Sequence, residues 1–402
     1  MHNHKKKVAL ITPFYLPARL SGAEYMNFLL AKLLSNNGYE VTIITSDVYA
    51  LRYWRDIFHL KRIQPKLETL NNIQVIRLRH NQFLAALYFL LSKFSITFPG
   101  PQFQLSALSI LLRKTKFDYI YSAPFPYYFN FQLSKIIGSL RSKPLLIVRP
   151  DFHSEIKTYE NPKLQTIFDS VSKIHILTQT EKTSIQKKFS VDEDKFHLIP
   201  NALPLSEMTS VNRLQREIKK LKDSYKLHNK TIILFAGTKI YSKGVFLIAN
   251  TVAHLYKKDP RYVLMTIGTD TFEWEQYKKT IRNDYLIDLG YVSERQKEII
   301  FASCDIFCMP SISEAFGLTY LEAWHKKKPV IGANIPAVQE LILTNNGGVC
   351  VPFGNIDYLG KSIKHLINNP ELMKQYGQNG YNRLVKSYNI SHNIQNYLSL
   401  FR

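Results

Sequence analysis

Short apolar runs alternate with longer segments of helical periodicity along almost the whole chain. Residues 8–12 are apolar up to a closing threonine, too few for a helix and enough for a strand buried on both faces, and Pro13 stops them. A loop over 15–21 leads to Gly22. Residues 24–37 place Phe28, Leu29, Ala31, Leu33 and Leu34 on one helical face, with Gly38 as the terminator. A second apolar run follows at 41–45. Strand, glycine loop, helix, glycine, strand is a βαβ unit and predicts a parallel sheet. Further runs at 73–78, 119–122, 145–148, 174–178 and 197–199 continue the pattern, with helical segments near 83–94, 103–115 and 128–140 between several of them.

After a charged, helix-compatible stretch at 205–228 the alternation restarts. Strands are expected at 231–236, 262–267, 286–290, 306–309, 330–332 and 348–351. Helices are expected near 245–258, 274–282, 294–302, 315–326, 336–342 and 357–368. The fold class is therefore α/β, two Rossmann-like doubly wound domains facing a central cleft, divided as 1–204 and 205–380. Residues 381–402 form a helical, aromatic tail that would pack back on the first domain. Ligands of such sheets bind beyond the carboxyl ends of the strands, so the loops at Gly22 and Glu314 would both face the cleft.

Composition narrows the partners. The 402 residues, 45% of them hydrophobic, suffice for two full cores. The net charge is +22, and residues 1–150 hold 20 Lys and Arg against 6 Asp and Glu. Such an excess fits an anionic partner, or simply a solvated lysine-rich surface. With no nucleic-acid motif or arginine-rich tail, nucleic acid is not expected. Three cysteines, Cys304, Cys308 and Cys350, suggest a reducing compartment and core packing rather than a disulfide framework. The basic start resembles a signal n-region, but the apolar run after it is too short. No run of about 20 apolar residues exists, so no transmembrane helix is expected and a cytoplasmic location is.

Candidate chemistry concentrates at 313–322, Ser-Glu-Ala-Phe-Gly-Leu-Thr-Tyr-Leu-Glu. With a helix starting near Phe316, the eight residues from Glu314 to Glu322 rise roughly 12 Å. That is too far for two carboxylates flanking one bond, which a retaining glycosidase holds about 5 Å apart. It suits the two ends of one long ligand. The free N–H groups of Phe316, Gly317 and Leu318 would point at an anion between them. A sugar at Glu314, phosphates at the helix start and a ribose at Glu322 describe a nucleotide-sugar.

Several motifs together resemble glycosyltransferase family 4, a retaining group of GT-B fold. They are Ser21-Gly22-Ala23-Glu24 before a helix, Asn37-Gly38-Tyr39-Glu40-Val41-Thr42, Ile199-Pro200-Asn201-Ala202, Phe235-Ala236-Gly237 through Lys243-Gly244, Leu289-Gly290-Tyr291-Val292, and Met309-Pro310-Ser311 through Glu314 and Glu322-Ala323 to Pro329-Val330-Ile331. The resemblance implies that the Gly22 loop and Gly237 approach the donor, and that Lys243 neutralises the diphosphate. It also implies that Glu314 holds donor-sugar hydroxyls and Glu322 the ribose. The chain departs from the family at Thr238, where an arginine is usual. Lys239 would take over that phosphate contact, as a point charge rather than a bidentate fork. It departs again at Lys327 and Ala202.

Weaker signals fill in the acceptor side. Arg149-Pro-Asp-Phe-His153 follows a strand, and either Asp151 or His153 could hydrogen-bond sugar or acceptor; the bland alternative is a turn with a solvent-facing histidine. Asp192-Glu193-Asp194 imitates a metal motif but sits in a polar turn, so no metal and no cofactor is expected. The aromatic, apolar stretch 83–98, flanked by Arg77, Arg79, Lys93 and 113–116, fits either a core helix or a surface element dipping into anionic lipid. The expectation is a metal-independent retaining glycosyltransferase using a UDP- or GDP-sugar and a glycan or lipid-linked acceptor. A nucleotide-sugar epimerase of the same fold, or a non-catalytic nucleotide-sugar-binding protein, stands as the alternative.

Overall fold

The structure is a computed structural model describing residues 5–50, 53, 60–64, 66–94, 96–100, 102, 104–281 and 283–402. Four sequence expectations extend beyond these: the start at 1–4, Ser95 within 83–98, Phe103 within 103–115, and Arg282 at the end of 274–282 lie outside the described residues. The chain forms two compact units, Met1–Pro200 with Ile394–Arg402, and Asn201–Asn393.

The first unit is built on eight strands: β1 Lys7–Ile11, β2 Glu40–Ser46, β3 Leu67–Leu70, β4 Ile73–Leu78, β5 Tyr119–Ser122, β6 Leu145–Val148, β7 Lys173–Ile176 and β8 Phe196–Leu198. Their order is β3-β4-β2-β1-β5-β6-β7-β8. Every pairing is parallel except β3 with β4. The continuous apolar runs of β1 and β6 are explained by helices covering both faces, and Val8 to Ile11 are fully buried. The antiparallel β3 was not anticipated. Its sequence Leu-Glu-Thr-Leu is half exposed on an edge, so it carries little of the apolar signal that marks the inner strands.

The second unit carries β9 Thr231–Ala236, β10 Tyr262–Ile267, β11 Leu286–Asp288, β12 Ile306–Met309, β13 Val330–Ala333 and β14 Gly348–Val351, ordered β11-β10-β9-β12-β13-β14 and parallel throughout. In each unit the strand order reverses once beside the first strand, between β1 and β5 and between β9 and β12. The loops leaving those strands diverge and open a crevice at that point.

The stretch 205–228 resolves into two short 3₁₀ turns and a helix, Gln215–Ser224. The tail is helical in two pieces, Pro370–Ser387 and Ile390–Ser399. Residues 394–402 complete the first unit. Tyr397 Oη donates to Pro200 O at 2.8 Å, Lys173 Nζ donates to Ser399 O and Leu400 O, and Phe401 is buried against Tyr119 and Tyr121.

Candidate active site

In the second unit the crevice at the strand reversal is flanked by the loop after β9, which carries Gly237 to Lys243, and the loop after β12, which carries Pro310 to Gly317. Gly237 N donates to Ile267 O at 3.0 Å, anchoring the first loop to β10. A 3₁₀ turn, Tyr241–Lys243, then aims the Lys243 ammonium at Glu314, 2.5 Å from Oε2. Ile312 N donates to Ser242 O at 2.8 Å, so backbone holds the two loops in register. Gly244 adopts φ +80°, and a Cβ there would sit 2.5 Å from Pro310 O. Gly317, at φ +91°, caps the helix Leu318–His325, and a Cβ there would meet the Tyr320 ring at 2.5 Å. Only glycine allows both turns. The first N–H groups of that eight-residue helix have no partner within it. A cation, a carboxylate and a helix start therefore converge on one place, which is what a ligand with both phosphate and hydroxyl groups requires.

The first unit has its own cavity at its strand reversal, about 340 Å³, with Glu24, Tyr127, Asp151 and His153 among its lining residues. The loop after β6 builds one wall. Arg149, 1% exposed, grips Asp151 with Nε at 3.0 Å from Oδ1 and Nη2 at 3.0 Å from Oδ2, and Nη2 also reaches Ala23 O at 2.9 Å. Burial works against the guanidinium's charge, but the Asp151 carboxylate outweighs it and keeps Arg149 protonated. Asp151 sits at φ +47°, a conformation costly for a side-chain-bearing residue and tolerated best by Asp and Asn. Glu181 braces the same loop, accepting from Phe152 N at 2.7 Å and Leu177 N at 2.6 Å. Burial pushes its carboxyl up to about 8. Tyr159 Oη ties the loop to its neighbour, bonding Phe125 O at 2.7 Å and Asp151 O at 3.0 Å. Opposite, Ser21 caps the helix Gly22–Asn36 in a capping box with Glu24, whose buried carboxyl is also pushed up by desolvation.

Residues 217–383 match the family model described as Glycosyl transferases group 1. That match lies wholly within the second unit. Among curated relatives, trehalose synthase of Pyrococcus horikoshii is 28% identical over 52% of this chain and 53% of its own length, so the matched part spans about half of that protein. Among solved structures, sucrose-phosphate synthase of Thermosynechococcus elongatus superposes with a TM-score of 0.78 at 16% identity, over 99% of this chain and 98% of the other. HepE of Anabaena, solved in complex with UDP-glucose, gives 0.72 at 15% identity, over 98% and 99%. The fold is GT-B.

Within the second unit, Lys243, Glu314 and Gly317 come together. Glu322 lies on the helix that Gly317 caps, nearly buried, with Oε1 at 2.7 Å from Lys297 Nζ. Phe316 is buried and stacks edge-on against Tyr388, which leaves its backbone as the part that could reach a ligand. Lys239 does not join them, and the phosphate role expected of it is corrected here. Its ammonium is fully buried, bonded to Asp270 at 2.6 Å and to Asp288. Burial would raise the Asp288 carboxyl, yet hydrogen bonds from Lys239 and Lys278 hold it well below the usual range. Withdrawing Lys239 toward a diphosphate would break its two ion pairs and leave Asp270 with Lys278 alone, 3.8 Å away.

In the first unit Asp151 and His153 line the same cavity, but the Asp151 carboxylate is occupied by Arg149. Gly22 is the exposed first residue of its helix. Glu193, from the acidic triplet, pairs with Lys182 and Gln186. Sequence reasoning missed Glu181 and Lys297. Both look like solvent-facing helix residues in a polar run, and only tertiary packing reveals their partners.

Proposed function

We propose that this protein is a retaining glycosyltransferase that moves a sugar from a UDP- or GDP-sugar to a glycan or lipid-linked acceptor. The observation that carries the reading is the Lys243–Glu314 pair beside the glycine-capped helix start, at the strand reversal of a group 1 glycosyltransferase unit. The diphosphate takes Lys243 and the helix amides; Glu314, released from the lysine, turns its oxygens to the donor-sugar hydroxyls; Glu322 takes the ribose. HepE, bound to UDP-glucose in the same fold, supports this donor class. As the bond from the anomeric carbon to the leaving phosphate oxygen breaks, the acceptor oxygen bonds to that carbon on the same face, and its proton leaves with the diphosphate. Negative charge grows on the diphosphate, where Lys243 and fixed N–H dipoles stabilise it most, so the transfer requires no metal. The cavity of the first unit receives the acceptor, with His153 as its hydrogen-bonding partner.

The acceptor is met at the inner, anionic face of a membrane. The helix Gln82–Ser92 buries only Ala85, while Phe83, Leu84, Leu87 and Leu90 are 42–68% exposed, and Phe94 just beyond is 71% exposed. From Thr69 to Phe117 the sequence contains no Asp or Glu and six Lys or Arg. An apolar face in basic surroundings suits anionic lipid. Among the described residues no helix is long and apolar enough to cross a membrane.

The test is nucleotide release from UDP-, GDP- and ADP-sugars, with and without vesicles of anionic lipid, and with Glu314→Ala as the control. Turnover of one donor that the variant loses is the expected result. Absence of release and of binding for every donor would sink the transferase reading. Turnover indifferent to anionic vesicles, with no protein sedimenting on them, would remove the membrane.

A further inference from the structure

Glu322 does not stand alone. Lys297, on the helix Glu294–Ser303, lies 25 positions earlier in the chain, and its Nζ is 2.7 Å from Glu322 Oε1. The same ammonium is 2.7 Å from Oε2 of Glu294 one turn back. Glu294 is exposed and solvated, whereas the Glu322 side chain is 11% exposed and Lys297 23%. Among the described residues Glu322 Oε2 makes no hydrogen bond with the protein.

A leucine or methionine would cover this helix contact as well as the lysine stem does, without the cost of desolvating an ammonium. The charge therefore calls for another explanation, and its geometry supplies one. A carboxylate tucked against the fold can rotate or can turn its better oxygen inward, and either spoils it as an acceptor. An ammonium on Oε1 prevents both.

We propose that Lys297 is a positioning residue for nucleotide recognition: it pins Glu322 through Oε1, keeping Oε2 turned to accept the hydroxyls of a ribose. This rests on the nucleotide-sugar reading above. Burial pushes the Lys297 ammonium down, but Glu322 and Glu294 outweigh that and hold it well above the ordinary lysine range, so the pin stays charged at any working pH.

Ribose reading and mere stability can be told apart by binding. UDP, GDP, ADP and CDP are titrated into the intact protein by calorimetry, and the tightest binder is carried forward with its 2′-deoxy and 3′-deoxy forms. Lys297→Met keeps the stem and removes the charge. It should weaken the ribonucleotide roughly tenfold or more, the worth of a charge-assisted hydrogen bond, and change the already weakened deoxy forms much less. Lys297→Arg should restore most of the loss. In turnover the donor KM should rise much more than kcat falls. Equal weakening of ribose and deoxyribose forms, or no weakening, would overturn the proposal. Should Lys297→Met fail to fold, Lys297→Leu, which likewise removes the donor to Oε1, is read in the same way. Failure of all four diphosphates to bind the unmodified protein would instead be failure of the nucleotide reading itself, and this inference would fall with it.

Discussion

Each unit places its candidate chemistry at its own strand reversal, yet the two treat charge in opposite ways. In the second unit the pair that bridges the two crevice loops, Lys243 with Glu314, is partly exposed. Such pairs are held loosely enough to trade partners when a ligand brings its own anions and hydroxyls. In the first unit the ionisable groups are buried and committed to the frame. Arg149 clamps Asp151 and a backbone carbonyl, and Glu181 takes two backbone N–H groups. These shape a cavity rather than engage its contents. The lesson is that an ion pair near a site can be a placeholder for ligand or part of the wall, and that burial together with backbone partners tells which.

The contrast can be broken most forcefully at Arg149. Arg149→Met leaves Asp151 as an uncompensated buried charge, and the protein should lose about 3–5 kcal/mol in chemical denaturation. A loss under about 1 kcal/mol would mean that the first unit's charges are as exchangeable as the second's. Lys243→Ala should do the reverse, slowing nucleotide release about 10²–10³-fold, the size of a lost transition-state charge contact. The denaturation midpoint should hardly move, since a partly exposed pair stabilises little. Gly317→Ala should cost roughly 1–3 kcal/mol from backbone strain, more if Tyr320 cannot yield. It should also disturb donor binding, which calorimetry would detect. The finest test is Glu181. Its carboxyl is raised in the folded protein, so the folded state binds the proton more tightly than the unfolded chain. The stability it contributes is full below its unfolded value and is lost as pH rises toward about 8. The slope cannot exceed about 1.4 kcal/mol per pH unit for one group. Urea midpoints from pH 5 to 9 should show this slope, and Glu181→Gln should flatten it.

Much of the architecture was legible because parallel strands buried on both faces announce themselves as unbroken apolar runs. Ile306–Met309 and Tyr262–Ile267 lie where their sequences suggested. That Lys243, Gly244, Glu314 and Gly317 meet at one crevice was also readable, since they fall within local motifs whose spacing survives into three dimensions. What escaped depends on distant residues meeting. Lys239 and Lys243 look alike in sequence, four residues apart beside one glycine loop, yet the first is buried between Asp270 and Asp288 while the second faces Glu314. Lys297 and Glu322 sit on different helices. Glu181 occupies the first turn of a polar helix, where a glutamate ordinarily faces water. No periodicity distinguishes a wall from a ligand contact when the deciding neighbour is a backbone amide elsewhere in the fold.

The return of residues 394–402 to the first unit bears on how the protein is made. Tyr397, Leu400 and Phe401 are buried among strands formed by residues synthesised long before them. At roughly 5–20 residues per second, a ribosome needs on the order of 10–40 s to pass from Pro200 to this segment. Through that interval the first unit stands with one apolar flank uncovered, and the second must fold beside an unfinished neighbour. Trimming a handful of residues here would leave the first half of the polypeptide permanently in the condition it normally occupies only during its own translation.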